Sequence, residues 1–114
     1  MSDLIERLTE IVGPPNLDHG GAVNEDYGHD EALTVPTRVP DVVARPASTA
    51  EVAAVLQVAG ALGAPVTARG SGTGLSGACN PSEGGLVVSF ERMAQILEID
   101  TANHVAVVEP GVTL

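Results

Sequence analysis

The sequence has no lysine and no tryptophan, and only one tyrosine, one phenylalanine and one cysteine. Without lysine, all positive side-chain charge rests on five arginines set against 15 acidic residues, a net charge of −10. Nucleic-acid binding needs clustered cations, and so does an anionic membrane surface, so both are disfavoured as partners. The same absence rules out a Walker-type phosphate loop, which requires a lysine. A single cysteine, Cys79, cannot form an intramolecular disulfide. The one Asn-x-Ser site, Asn80-Pro81-Ser82, has proline in the forbidden place. No apolar run approaches a membrane span. The opening residues Met1 to Arg7 carry acids where a signal peptide would need a basic region, and the expected location is cytoplasmic. With so few aromatics, a core in this chain of 114 residues has to be built from Val, Leu, Ile and Ala. That length allows one domain at most.

What is present is well patterned after residue 40. Before it, Leu4, Ile5, Leu8, Ile11 and Val12 predict a short amphipathic helix, capped by Asp3 with Glu6 and stopped by Gly13-Pro14-Pro15. Residues 16–40 have no sustained periodicity and read as an extended arm or loop. Asp41 to Arg45 is a short apolar run ended by Pro46, as a buried strand would be. Ser48 and Glu51 form a capping box, followed by Val52, Val55, Leu56, Ala59 and Leu62 at helical spacing, with Gly63 as the stop. These five residues are the expected buried face. Pro65 to Arg69 is a second strand, completing a βαβ unit with parallel strands. Leu86 to Phe90, Ile96 to Asp100 and His104 to Glu109 are further strands. The short link Thr101-Ala102-Asn103 makes the last two an antiparallel hairpin. The fold class is α/β (α+β), a βαβ unit plus a β-hairpin in one small layer.

Between the second and third strands lies a glycine-dense loop, Arg69-Gly70-Ser71-Gly72-Thr73-Gly74-Leu75-Ser76-Gly77. Its glycines permit positive φ, so successive N–H groups can converge on one anion. Ser71, Thr73 and Ser76 add hydroxyl donors, and Arg69 is the one nearby cation. A Gly/Ser run alone reads equally well as a flexible surface loop; its place after a βαβ strand favours ligand binding. Gly72 to Gly77 matches the dinucleotide fingerprint G-x-G-x-x-G in letters. That fingerprint needs a helix opening from the loop, and Ala78 to Gly85 is too short and too rich in breakers to supply one.

Four pieces in order then carry a resemblance. They are Val42 to Val52, the loop Arg69 to Gly77, Ile96-Leu97-Glu98-Ile99-Asp100 and Val107-Val108-Glu109-Pro110-Gly111-Val112-Thr113. From Pro40 onward the chain resembles the start of the FAD-binding domain of the vanillyl-alcohol oxidase and p-cresol methylhydroxylase (PCMH-type) superfamily. It is most similar to the branch that holds the glycolate oxidases and the D-lactate dehydrogenases. The resemblance implies residues 1–39 as lead-in helix and arm, and 40–114 as the incomplete first part of that domain. It implies that Gly70, Ser71, Gly72, Thr73, Gly74 and Ser76 line the FAD diphosphate, with Arg69 near it and Leu75 and Gly77 completing the loop. Pro110 and Gly111 would approach the flavin. Some relatives attach FAD covalently through a histidine in this loop; Thr73 takes that place here, which implies non-covalent FAD. The implied activity is oxidation of a 2-hydroxy acid, with hydride passing to the flavin. The implied partners are FAD, that substrate, and the remainder of the flavin and substrate domains.

The chain itself offers no catalytic residue. These residues alone are expected to bind FAD poorly and to catalyse nothing, because the other walls of the site lie past Leu114. The alternatives are a non-catalytic module that binds a phosphate compound or nothing, and, among enzymes, the related reductase of cell-wall precursor synthesis. Asp18, His19, Glu25, Asp26, His29, Asp30 and Glu31 match no metal-ligand spacing and read as a solvated acidic arm. His104 reads as an exposed turn residue. Cys79 has no basic neighbour to activate it. Phe90 and Met93 are expected in the core.

Overall fold

Strands that are apolar without alternation need cover on both faces, and this chain supplies it. The computed structural model describes every residue from Met1 to Leu114. β1 spans Leu17–His19, β2 Val42–Ala44, β3 Val66–Arg69 and β4 Leu86–Ser89, forming one sheet in the order β1-β2-β4-β3. β2, β4 and β3 run parallel, with Val42 and Val66 both level with Leu86. β1 is antiparallel to β2, Leu17 opposite Ala44. The two middle strands, β2 and β4, are buried at every residue.

Two helices cover one face. α1 (Ser2–Val12) and α2 (Thr49–Leu62) bring Leu4, Leu8, Val12, Val55, Val58 and Ala59 onto Val42, Ala44, Leu86 and Val88. On the opposite face Val43 and Val87 lie beneath Val23 and the half-buried Tyr27. Each fully buried valine contributes about 1.5–3 kcal/mol, so β2 and β4 are the anchor of the domain. Met93 is buried and Phe90 packs half-buried against the helix-side core.

The expected βαβ unit is present as β2-α2-β3, with one addition: β4 inserts between its two strands. The arm is less irregular than its sequence suggests. It contributes β1 and 3-10 turns at Gly20–Ala22 and Glu25–Gly28. Pairing with the buried backbone of β2 makes β1 a strand although its three residues carry no pattern. α1 starts earlier than expected, with Met1 as its N-cap and no side-chain capping bond, so the Asp3–Glu6 box does not form. Gly13 ends it at φ +86°, its N–H donating to the Thr9 carbonyl.

α2 starts and stops where expected. Ser48 Oγ accepts from the Glu51 N–H at 3.2 Å, and Glu51 Oε2 accepts from the Ala47 N–H at 2.7 Å, one residue before the usual reciprocal partner. Gly63 closes it in the left-handed region at φ +68°. Its buried face is rotated from the expected one: Val55, Val58 and Ala59 are buried, Val52 is partly so, and Leu56 and Leu62 are exposed. The helix is apolar nearly all round, so spacing alone does not select a face.

β5 (Ile96–Asp100) and β6 (Val105–Val108) form the expected antiparallel hairpin. It is a separate two-stranded sheet, and its strands are exposed almost throughout, so it does not share the layer of the main sheet. Its turn includes His104, at φ +55°, and the Asp100 carboxylate accepts from the Asn103 N–H and Nδ2. No helix is long and apolar enough to cross a membrane.

Candidate diphosphate-binding loop

Neighbouring parallel strands need a crossover to return the chain, usually a helix. Between β3 and β4 that crossover is the glycine-rich segment 70–85, which contains no helix. It leaves from the carboxyl ends of the parallel strands, where open α/β sheets bind ligands. Every backbone N–H from Gly70 to Cys79 lacks an acceptor within the chain. Two glycines set the path. At Gly72 (φ +75°) a Cβ would overlap the Arg69 guanidinium, and at Gly77 (φ +76°) it would overlap the side chain of Val35.

While its N–H groups are free, the loop's other groups are tied to the arm. The Glu31 N–H donates to the Gly74 carbonyl at 2.9 Å. The Asp30 N–H donates to Asn80 Oδ1 at 2.9 Å, and Asn80 Nδ2 donates to the Pro36 carbonyl at 3.0 Å. Arg69 Nη1 donates to the His29 carbonyl at 2.7 Å, and its guanidinium lies 5.6 Å from the centre of the Tyr27 ring. Arg69 therefore braces the arm as well as standing at the loop's entrance. The arm straps the loop from outside and leaves its amides available.

A cleft of about 360 Å³ opens at this end of the sheet. It brings together four residues singled out from sequence: Arg69, Gly70, Ser71 and Gly111. Thr73, Gly74, Leu75, Ser76 and Gly77 continue along the loop outside its lining. Ser71 and Thr73 share a hydroxyl hydrogen bond of 2.9 Å, and Leu75 is exposed. The Pro110 carbonyl would lie 3.8 Å from a Cβ on Gly70, so the Pro110-Gly111 turn abuts the start of the loop. Gly111 is seated against backbone: its N–H donates to the Met93 carbonyl at 2.8 Å, and a Cβ there would overlap the carbonyls of Phe90 and Met93.

Sequence reasoning missed Asn24, Tyr27, Ser89 and Glu91 in the lining, and it weighed Asp26, also there, only as a metal ligand. Tyr27 Oη donates to Glu91 Oε1 at 2.6 Å; burial first, and then this bond, hold the phenol above its ordinary pKa. Behind it Arg45 bonds Asp18 Oδ2 at 2.7 Å and approaches Glu91 at 3.7 Å. The bond to Arg45 holds the Asp18 carboxyl below the usual carboxylate range and raises the arginine in turn. The one available signal was that Tyr27 is the sole tyrosine in the chain.

A mostly parallel sheet whose crossover is a helix-free loop of unpaired amides places the chain among α/β domains outside the Rossmann class. Residues 40–114 match the FAD binding domain family, and the chain belongs to it. It is 58% identical over 114 residues to an FAD-linked oxidoreductase of Mycobacterium tuberculosis, covering 100% of this chain and 25% of that protein. To the glycolate oxidase protein GlcD of Bacillus subtilis it is 42% identical over 110 residues, 96% of this chain and 23% of the relative. Among solved structures, 4-ethylphenol oxidase from Gulosibacter chungangensis superposes with a TM-score of 0.82 at 28% identity, over 97% of this chain and 22% of that one. The chain thus spans about a quarter of the length of the relatives it matches. Free amides, three hydroxyls and the absence of a large buried side chain fit the diphosphate of FAD.

Proposed function

We propose that this chain is the diphosphate-binding portion of an FAD-dependent oxidoreductase acting on a 2-hydroxy acid of the glycolate or D-lactate type. One observation carries the cofactor reading: the uninterrupted run of unpaired N–H groups from Gly70 to Cys79 at the ends of β3 and β4. Such groups bind phosphate oxygens without a lysine. Gly70, Ser71, Gly72, Thr73, Gly74 and Ser76 hold the diphosphate, Leu75 and Gly77 complete the turn, and Arg69 fixes the entrance. Pro110 and Gly111, rigidly seated beside Gly70, approach the cofactor from the second side. Residues 40–114 carry this function, and 1–39 are the lead-in helix and arm.

FAD supplies a two-electron acceptor for hydride when bound. The residues of this chain bind and orient it; substrate-binding and proton-accepting groups belong to the longer protein. The loop has no histidine, and Thr73 stands where covalent relatives attach the flavin, so FAD is held reversibly. Similarity to the glycolate oxidase protein supports the substrate class.

The test uses the protein extended to the length of its relatives. It should purify with FAD that is released into the supernatant on acid precipitation. Glycolate or D-lactate, added without oxygen, should bleach the flavin absorbance. Flavin pelleting with the protein would refute reversible binding. Bound flavin that no 2-hydroxy acid bleaches would refute the substrate class. The absence of bound flavin would refute the cofactor reading and favour a non-catalytic module that binds a phosphate compound or nothing.

A further inference from the structure

One buried side-chain atom in the protein lacks a hydrogen-bond partner: Oδ2 of Asp30. Only 4% of Asp30 is exposed. Its other groups are engaged. Oδ1 accepts from the Ala32 N–H at 2.9 Å, the Asp30 N–H donates to Asn80, and its carbonyl lies 3.0 Å from His29 Nδ1. Oδ2 is directed at the glycine-rich loop, where a Cβ on Gly74 would meet it at 3.7 Å. Gly74 is held at that place by its own carbonyl, which accepts from the Glu31 N–H.

A buried carboxylate oxygen without a donor is destabilising, and its presence calls for a reason. Here the acceptor without a donor lies against a loop of donors without acceptors. At Gly74, the loop residue facing Oδ2, the absence of a Cβ leaves the backbone free to turn. A nearby negative charge would otherwise oppose binding of a diphosphate, so its location on the arm side of the loop has to be compensated.

We propose that Asp30 is the positioning residue of this loop. When the diphosphate binds, Oδ2 accepts an N–H from within Gly74–Ser76, and that bond fixes the turn so that the remaining loop N–H groups face the phosphates. The assignment rests on the FAD reading above and adds a residue to it. Asp30 touches the loop, not the cofactor.

The experiment compares the extended protein with its Asp30→Asn variant. Asparagine keeps the Oδ1 acceptor for Ala32, and with it the turn in the arm, but presents an NH₂ donor where Oδ2 was. FAD is titrated into FAD-free protein by flavin fluorescence, and the thermal midpoint of the FAD-free protein is measured alongside. The expected result is an affinity roughly tenfold weaker, the scale of one lost hydrogen bond to a charged group, with no fall in the FAD-free midpoint. A lowered midpoint with unchanged affinity would assign Asp30 a purely structural role and overturn the proposal. Tighter binding would overturn it too, by showing the carboxylate to act only as a repelling charge. Should the variant fail to fold, an FAD-loaded crystal structure of the wild type decides: an N–H of Gly74–Ser76 on Oδ2 supports the proposal, and an unpartnered Oδ2 overturns it. A wild type that takes up no FAD overturns the functional reading and this inference together; a binding wild type with an unaffected variant overturns this inference alone.

Discussion

Gly77→Ala tests how far the arm dictates the path of the loop. At φ +76° an L-residue is strained, by about 1–2 kcal/mol. The added methyl would also meet Val35, whose Cβ and Cγ1 lie 3.0 and 3.1 Å from that position, with Cγ2 nearer still. Forcing a methyl into occupied space adds about 1–3 kcal/mol, so the substitution should cost ~2–5 kcal/mol in all. Val35→Ala removes both γ-carbons of a partly buried side chain and should cost only about 1 kcal/mol by itself. The double variant keeps the backbone strain and the 3.0 Å approach of the residue-35 Cβ but loses both γ-carbon contacts, so it should be more stable than the sum of the singles by about 1–2 kcal/mol. Equilibrium urea unfolding of the chain, followed by far-UV circular dichroism, measures all four corners of the cycle. Additivity within about 0.5 kcal/mol would show that the loop does not rest on Val35 and would refute the strap.

Three further outcomes follow from the same geometry. Gly111→Ala places a methyl against two backbone carbonyls that cannot swing aside, and should cost at least ~2 kcal/mol in urea unfolding. Ser48→Ala removes the cap on the Glu51 N–H and should cost about 1 kcal/mol in the same assay. Asp18 has its folded pKa lowered chiefly by the bond to Arg45, so the pair's stabilisation is present above the unfolded carboxylate value of about 3.9 and is lost as pH falls through the lower folded value. Unfolding of the wild type and Asp18→Asn across pH should show a gap that is widest near neutrality and closes below about pH 4; a gap that grows on acidification would contradict the assignment.

The parts of the fold legible in the sequence are those set by neighbours in the chain. Ser48 with Glu51 and then Gly63 bracket α2 because capping is a contact within one turn. Val42–Ala44 and Leu86–Ser89 read as strands because burial on both faces demands an unbroken apolar run. The insertion of β4 between β2 and β3 was not legible, since either order pairs the same residue types and the choice depends on the whole sheet. β1 was hidden for a similar reason: Leu17-Asp18-His19 becomes a strand by pairing with Val42–Ala44, far along the chain. In α2 the pattern was too apolar to choose a face, and Val58 took the place given to Leu56 and Leu62.

The loop itself was legible, because glycines alternating with hydroxyl residues after a strand are a local signal. The arm's part in it was not, because its bonds join residues far apart: Arg45 with Asp18, Arg69 with His29, Asp30 with Asn80. Charge shows why this matters. No Asp or Glu occurs between Glu51 and Glu83, so in a chain of net charge −10 the glycine-rich loop is locally free of carboxylates. Folding brings some back. Asp26 and Glu91 reach the cleft, but Asp26 stands 4.0 Å from His29, and Glu91 accepts from Tyr27 beside Arg45. Asp30 alone arrives with a buried oxygen that nothing in the chain satisfies, at the point where the loop holds donors to spare. A sequence that keeps acids away from this loop over some thirty residues, and a fold that returns one of them unpaired, are the two observations that the proposed role of Asp30 in shaping the loop joins.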